Sequence, residues 1–218
     1  MGFCLYNNAA VAAAVMRARG TERVAIVDID VHHGNGTQHT FYADPSVLYV
    51  STHQSPFYPG TGAAAETGRE AGAGFTVNIP LEAGATDGDY TLVHEAIVLP
   101  VLEQFRPQLT IVSAGYDAHE RDPLASMRMT AAGYAHVLRG IAMTAARHGA
   151  LACVTEGGYE LHALASCLEA SFAAIDEGFG LEAIDLPPDQ TPMTKAPTGR
   201  GERAIQAVRP AQKPFWRI

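Results

Sequence analysis

Residues 27–36 have the sequence VDIDVHHGNG, in which an apolar run gives way to acids, histidines and glycines. The apolar residues 24–29 predict a strand, and side chains along a strand point alternately to its two faces. We therefore expect Asp28, Asp30 and His32 on one side of the carboxyl end of this strand. Buried charged groups are costly unless they are paired or bind metal, so the stretch predicts a cation site. A hydrogen-bonded polar strand end is the alternative.

Apolar runs bounded by Gly, Asp or Pro alternate with helix-like stretches along the chain, which is typical of a parallel sheet with crossover helices. The predicted strands cover residues 23–30, 46–52, 75–79, 109–114 and 151–155. The predicted helices cover residues 8–19, 87–105, 130–149, 161–176 and 202–211. Pro100 is expected to kink the second helix, and the prolines within 180–201 predict an extended surface strap.

The composition is that of a soluble chain with one sizeable core. The sequence has 218 residues, of which 47% are hydrophobic and 17% charged, and its mean hydropathy is +0.01. These values favour one folded domain and exclude disorder and fibrous proteins. The longest apolar runs fall short of the roughly 20 residues that cross a bilayer. Residues 1–20 also show no basic-then-apolar signal layout, so neither a membrane-spanning nor an exported protein is expected.

Charge is distributed unevenly along the chain. Residues 1–186 hold 9 arginines, no lysine and 21 acidic residues, whereas residues 187–218 hold 6 basic and 2 acidic residues. An acidic body repels nucleic acid and favours cationic ligands, including lysine-rich or polyamine substrates. A solubilising surface charge is the alternative interpretation.

Three cysteines, Cys4, Cys153 and Cys167, lie far apart in the sequence. An odd number at such spacing supports neither a disulfide framework nor a zinc site built from thiolates. We expect buried thiols in a reducing, cytoplasmic compartment.

Two further strand ends carry polar residues to the same edge of the predicted sheet. Residues 109–114 are followed by GYDA, which includes Asp117, and residues 151–155 are followed by EGGY, which ends at Tyr159. Carboxyl ends of parallel strands meet at one edge, where ligands bind. Two carboxylates and one imidazole leave a fourth metal position open, as in catalytic zinc sites. Alternatively, Asp117 is a turn aspartate and Tyr159 a packed loop residue.

Taken in order, five motifs resemble the zinc-dependent histone deacetylase family, in its class II-like bacterial branch. They are GFCxxNN near the start, DxDxHHGNGTQ, YPGTG at 58–62, SAGYDAHxxDP at 113–123 and EGGY at 156–159. The resemblance covers nearly the whole chain and implies a deacetylase-like domain over residues 1–218, with residues 180–218 as strap and terminal helix. It also implies the three-layer, arginase/deacetylase-like α/β fold, with a mostly parallel sheet flanked by helices.

The resemblance implies roles for individual residues. Asp30, His32 and Asp117 match the zinc ligands, and Tyr159 matches the tyrosine that stabilises the oxyanion. A structural potassium site is implied at Asp28, Ser51 and Thr52. The positions that match substrate-binding residues are Gly2, Phe3, Tyr58, Leu124 and Gly157.

This sequence departs from the family pattern at its start. The two adjacent histidines that serve the family as general base lie upstream of the GFC motif, and this chain begins at Met1. We therefore expect an N-terminally incomplete fold without that pair. General base catalysis contributes about a hundred- to ten-thousandfold to rate, so the activity of this chain is open.

The leading functional hypothesis is a zinc-dependent amidohydrolase that removes acetyl groups from lysine side chains or related amines. Iron(II) is the alternative metal, because this ligand set accepts either ion. Two other functions stay open: an acetylpolyamine deacetylase, and a catalytically silent zinc- or acyl-lysine-binding module. An arginase-like hydrolase would need a second metal and more ligands. The expected partners are an acetylated protein or polyamine, and a second copy or a complementing N-terminal segment, but neither nucleic acid nor membrane.

Overall fold

A five-stranded parallel sheet forms the centre of the fold, in the order β3-β2-β1-β4-β5. The computed structural model describes residues 5–181 and 195–218. The strands are β1 (Val24–Asp28), β2 (Val47–Gln54), β3 (Thr76–Leu81), β4 (Leu109–Ala114) and β5 (Ala150–Thr155). Asp28, the last residue of β1, lies opposite Ser51 of β2 and Ser113 of β4. The predicted five strands and their parallel arrangement are confirmed.

Seven α-helices accompany the sheet within the described residues. They are α1 (Asn8–Ala18), α2 (Asn35–Phe41), α3 (Asp87–Val93), α4 (Leu99–Phe105), α5 (Ala131–His148), α6 (Leu161–Gly178) and α7 (Arg200–Gln212). The short helix α2 was not predicted. Its sequence, NGTQHTF, has a glycine in the first turn and no apolar periodicity, so the pattern gave no helical signal.

Two separate apolar clusters show that helices cover both faces of the sheet. On one face, Ala9 and Ala13 of α1 pack against Val24 and Ile26 of β1. The alternate residues of β1, Ala25 and Val27, belong to the larger cluster on the other face, which includes residues from α3, α4, α5 and α7. This alternation confirms the three-layer α/β fold, since β1 buries both of its faces.

The predicted long helix over residues 87–105 is present, with a π-helical segment in its middle. Helix α3 ends at Val93, a π-helical turn spans His94–Val98, and α4 begins at Leu99 with Pro100 in its first turn. Pro100 lacks an N–H, and the wider π turn places it where an intrahelical donor is not required. A kink at Pro100 was predicted, whereas the π-helical segment that precedes this residue was not.

The C-terminal helix is anchored to the start of α3. Helix α7 begins at Arg200 rather than at the predicted residue 202. Asp89 Oδ1 accepts hydrogen bonds from the N–H groups of Thr198 (3.0 Å) and Gly201 (2.9 Å). Most of the predicted strap over residues 180–201 lies outside the described residues.

Strand β5 forms one edge of the sheet and is exposed along most of its length. Four of its six residues are exposed, although its sequence is ALACVT. Cys153 is one of them, so the prediction of a buried thiol is wrong there, whereas Cys167 is buried. No helix in the described part of the chain is long and apolar enough to cross a membrane.

Candidate metal centre

Three loops converge at the carboxyl edge of the sheet, one each after β1, β4 and β5. They carry Asp30 and His32, Asp117, and residues 156–159 respectively. Because β1, β4 and β5 are adjacent and parallel, their carboxyl ends lie side by side. Ligand sites of open α/β sheets lie at this edge.

Asp30, His32 and Asp117 lie close enough to hold one metal ion. His32 Nδ1 is 3.1 Å from Asp30 Oδ1 and 3.1 Å from Asp117 Oδ2. One ligand atom from each residue falls within 4.8 Å of the others, and no other group in residues 5–181 and 195–218 meets this condition. Asp117 is fully buried and the other two are half-buried. The predicted ligand residues therefore do meet in the fold.

Main-chain hydrogen bonds just beyond β1 hold these side chains. The alternation of the strand continues past its last residue, since Ala25, Val27, Ile29 and Val31 all belong to one apolar cluster. Strand β1 ends at Asp28, so the predicted strand to residue 30 is two residues too long. His32 N–H donates to Asp30 Oδ1 at 2.7 Å, and Val31 N–H donates to Asp117 Oδ1 at 2.9 Å. Each carboxylate is therefore fixed through one of its oxygens by a main-chain N–H group. The other oxygen of Asp117, Oδ2, lies beside His32.

Two glycines leave the space that the carboxylates occupy. A Cβ added at Gly115 would overlap Asp30 Oδ2, and one at Gly157 would overlap Asp117 Oδ2. Gly157 N–H also donates to Asp30 Oδ2 at 3.1 Å. The structure thus places Gly157 against the carboxylates of Asp30 and Asp117.

Burial and mutual contact shift the pKa values of the cluster. Hydrogen bonds to Asp117 and then Asp30 raise the pKa of His32 from 6.5 to about 10, against the effect of burial. Burial raises the pKa of Asp117 to about 6, because it outweighs the hydrogen bond from His32. Without a cation, the imidazole is therefore protonated at neutral pH. A divalent cation would supply positive charge to the same two carboxylates in place of this proton, so the donor set fits a metal ion.

Aromatic rings line the outer side of His32. The ring of Phe57 stacks on the His32 imidazole at 5.0 Å between centroids and 25° between planes. Tyr58 meets the same imidazole edge-on at 6.3 Å and is 54% exposed. The sequence assigned a role to Tyr58 and none to Phe57. The YPGTG motif at 58–62 does not indicate whether Phe57 or Tyr58 stacks on the His32 ring.

Asp28 lies next to the metal cluster without being a member of it. Its Oδ2 accepts a hydrogen bond from the Tyr49 hydroxyl at 2.9 Å, and its Oδ1 accepts one from Asp30 N–H at 3.2 Å. Burial raises its pKa well above the ordinary value. Thr52 Oγ1 lies 3.5 Å from the Asp28 carbonyl oxygen, and Ser51 Oγ lies 2.9 Å from His53 Nδ1. The three residues of the predicted potassium site are thus neighbours beneath the metal cluster.

A pair of buried histidines supports the loop that carries Phe57 and Tyr58. The rings of His33 and His53 are 4.8 Å apart. His33 Nδ1 lies 2.7 Å from Thr61 Oγ1, and His53 Nε2 lies 3.0 Å from the Gly62 carbonyl oxygen. Gly62 has φ +88 and no space for a Cβ against either ring, so only glycine fits there. Neither histidine belongs to the metal cluster.

The remaining predicted residues lie around this centre or outside the described residues. Tyr159 lies in the loop after β5 and is 41% exposed, and its N–H donates to Asp122 Oδ2 at 2.8 Å. Leu124 follows Asp122 in the loop after β4 and is 46% exposed. Gly2 and Phe3, predicted to contact substrate, lie outside the described residues. The sequence assigned no role to Asp122, since an aspartate before a proline is common in turns.

Comparison with known proteins settles the family. Residues 1–175 match the histone deacetylase domain. The chain belongs to the histone deacetylase family. The family resemblance predicted from the five motifs is therefore confirmed.

Relatives from three groups of organisms share this domain. The chain is 44% identical over 193 residues to a probable deacetylase of Archaeoglobus fulgidus, covering 88% of this chain and 54% of that protein. It is 42% identical over 187 residues to a histone deacetylase-like amidohydrolase of Pseudomonas aeruginosa, covering 84% and 48%. It is 40% identical over 220 residues to histone deacetylase 15 of Arabidopsis thaliana, covering 99% and 38%. The chain therefore spans about half or less of the length of these relatives.

The fold agrees with solved deacetylase structures. The chain superimposes on the crystal structure of the HDA15 HD domain with a TM-score of 0.86 at 40% identity, covering 99% of this chain and 57% of that one. It superimposes on the histone deacetylase Clr3 with a TM-score of 0.84 at 39% identity, covering 98% and 36%. The fold class predicted from the sequence is confirmed by both.

Proposed function

We propose that this chain carries the metal centre of a deacetylase, an amidohydrolase that removes acetyl groups from acetyl-lysine side chains or related acylated amines. The observation that supports this most is the cluster of Asp30, His32 and Asp117 at the carboxyl edge of the sheet. Three protein ligands leave room for a further ligand, as catalytic sites require. Relatives that carry deacetylase or amidohydrolase names share the domain.

Zinc is the metal we propose, with iron(II) as the alternative, because two carboxylates and one imidazole accept both. When bound, the metal polarises a carbonyl oxygen and makes its carbon more electrophilic. Asp30 and Asp117 would hold it through the oxygens that now face His32, and His32 through Nδ1. We also propose a structural potassium ion at Asp28, Ser51 and Thr52, which the nearby Asp28 carboxylate and carbonyl oxygen support.

The protein's own groups bind and orient the substrate. The Tyr159 hydroxyl donates a hydrogen bond to the oxygen that becomes negatively charged as the amide carbon turns tetrahedral. Phe57 and Tyr58 stand beside His32 and offer apolar surface to the methylene groups of an acyl-lysine side chain. Leu124, Gly2 and Phe3 are proposed to complete this apolar path.

An acetylated protein lysine is the substrate we favour, and an acetylated polyamine is the alternative. Residues 1–186 carry 21 acidic residues against 9 arginines, which attracts the free amines of a polyamine or the unmodified lysines of a lysine-rich protein. The family names of the relatives favour the protein substrate. Nucleic acid and membrane are not expected partners, and we propose a cytoplasmic location, which the free thiols of Cys153 and Cys167 favour.

One observation favours the alternative of a catalytically silent module. His33 is adjacent to the ligand His32, but its two ring nitrogens lie 2.7 Å from Thr61 Oγ1 and 3.0 Å from Gln38 Oε1. Both nitrogens are therefore engaged, and His33 is not free to take a proton from water. His33 is therefore not proposed as the general base.

The exposed edge of β5 supports the proposal of a partner. Parallel strands are normally covered on both faces, whereas Ala150, Ala152 and Cys153 are exposed. A complementing segment or a second copy that pairs with this edge would bury them. Light scattering of the purified chain is expected to show association, and a charged Ala152→Lys variant is expected to reduce it. A monodisperse parent chain that unfolds cooperatively would contradict this proposal.

The decisive experiment for the function is turnover of an acetyl-lysine reporter by the zinc-loaded chain. Turnover that is lost with a chelator and in Tyr159→Phe is expected for the deacetylase. Zinc binding without turnover would instead support the silent module. Retention of turnover in Tyr159→Phe would remove the proposed role of that hydroxyl.

A further inference from the structure

Asp122 lies buried between the loops that follow β4 and β5. Its Oδ2 accepts a hydrogen bond from Tyr159 N–H at 2.8 Å, and its Oδ1 accepts one from Leu124 N–H at 2.9 Å. The side chain is 7% exposed, so both bonds are shielded from water. Main-chain donors to a carboxylate form stronger bonds than neutral pairs do. One carboxylate thus joins the loop of Asp117 to the loop of Tyr159.

The β5 loop is held at two points with a glycine between them. At the first point, Gly157 N–H donates to Asp30 Oδ2 at 3.1 Å, and the Gly157 carbonyl oxygen accepts from Tyr116 N–H at 2.8 Å. Gly158 follows with φ +136, in a region where the backbone of other residues is strained. The second point is the bond from Tyr159 N–H to Asp122. The path of the main chain into Tyr159 therefore depends on Asp122.

We propose that Asp122 is a positioning residue that sets the direction of the Tyr159 side chain over the metal centre. This inference rests on the proposed deacetylase function, in which the Tyr159 hydroxyl reaches the substrate oxygen. The Asp122 carboxylate bonds the main-chain N–H groups of Tyr159 and Leu124, and Asp122 is not one of the proposed metal ligands. It acts by fixing the Tyr159 main chain, because Gly158 alone would leave that chain free to turn.

The test compares Asp122→Ala, Asp122→Asn and the parent chain, all loaded with zinc. Displacement of a catalytic group by about 1 Å costs up to roughly a hundredfold in rate, so Asp122→Ala is expected to lower kcat about ten- to a hundredfold. Asp122→Asn keeps one acceptor oxygen, so a smaller loss is expected. KM and zinc affinity are expected to stay within about threefold, since Asp30, His32 and Asp117 are untouched.

A double-mutant cycle separates positioning from a general structural role. If Asp122 acts through the Tyr159 hydroxyl, Asp122→Ala should change kcat little in a Tyr159→Phe background. Equal losses in both backgrounds would overturn the inference. Glu120→Gln is the matched control. Glu120 lies on the same loop as Asp122, and its side chain forms an ion pair with Lys195 at the surface. Its kcat is expected to equal that of the parent.

Hydrogen exchange distinguishes failure of this inference from failure of the proposed function. A zinc-loaded parent that does not turn over substrate contradicts the deacetylase function. In that case hydrogen exchange at Tyr159 N–H still tests the positioning role of Asp122. Faster exchange in Asp122→Ala, with the α5 amides unchanged, supports the hydrogen bond from Tyr159 N–H to Asp122. Unchanged exchange at Tyr159 would overturn it.

Discussion

The N–H of Gly157 donates a hydrogen bond of 3.1 Å to Asp30 Oδ2, which connects two residues 127 positions apart in the sequence. The same glycine lies against Asp117 with no space for a Cβ. Its main chain therefore holds the carboxylate of Asp30, while its missing side chain leaves room for the carboxylate of Asp117. Metal affinity should be sensitive to this residue even though it contributes no ligand.

Gly157→Ala is expected to weaken zinc binding about ten- to a hundredfold, as loss of groups that orient metal ligands does. The added methyl group must displace Asp117, Asp30 or the loop itself. Competition with a chelator of known affinity measures the change. Gly140→Ala on α5 is the control, since its methyl group would meet only the flexible end of Leu99. Equal zinc affinity in the two variants would show that the loop adjusts freely.

Asp117→Ala is expected to lose zinc, whereas Tyr159→Phe is expected to retain it. Asp117 is fully buried, and its removal leaves two of three protein ligands. Tyr159 is outside the cluster, so only turnover should fall, by about a hundred- to a thousandfold, as for the loss of an oxyanion donor. Zinc content of the purified variants is the measurement. An Asp117→Ala chain with a full equivalent of zinc would refute the ligand assignment.

Zinc affinity is expected to rise with pH. Zinc must displace the proton on His32, whose pKa is about 10 in the absence of metal. Each pH unit between about 6.5 and 9 should therefore raise the apparent affinity about tenfold. Below about pH 6 the rise should be steeper, because Asp117 also becomes protonated there. A zinc affinity that does not change with pH, once the chelator's own pH dependence is corrected for, would contradict a protonated His32 beside Asp30 and Asp117.

His94 is expected to make the fold sensitive to acid. It lies buried in the π turn, and within the described residues neither ring nitrogen has a hydrogen-bond partner. Burial, with a smaller effect from His136, lowers its pKa to about 3. The unfolded chain binds a proton near pH 6.5 and the folded chain does not, so stability falls as the pH drops below that value. Each pH unit should cost about 1.4 kcal/mol.

His94→Phe is expected to remove this part of the acid sensitivity. Between pH 7 and pH 5, its free energy of unfolding should fall by about 2 kcal/mol less than that of the parent. Urea unfolding at several pH values measures the difference. His162→Gln on the exposed surface of α6 is the control and should follow the parent. Parallel pH curves for His94→Phe and the parent would contradict the neutral buried imidazole.

The structural features that were predicted correctly depend on residues that lie near one another in the sequence. Apolar runs identified all five strands, and the polar residues after two of them indicated Asp30, His32 and Asp117 as candidate ligands. The five motifs by themselves identify the family. These signals are local, since strand patterning and turn chemistry act over a few residues.

The errors arose where local patterns end. Strand β1 ends at Asp28, two residues before the predicted end, although its side chains keep alternating as far as Val31. Asp28 bonds Tyr49 and is not a member of the metal cluster. Helix α2 and the π turn were missed because neither has a distinct apolar period.

The sequence by itself determined the class of fold, the family and the three residues that could hold a metal. Only the tertiary structure decided that Phe57 stacks on His32, that Gly157 braces Asp30 and that Asp122 holds the main chain of Tyr159. Each of these contacts joins different loops at the sheet edge. Their geometry depends on how the strands pack side by side, and no spacing along a single segment encodes that packing.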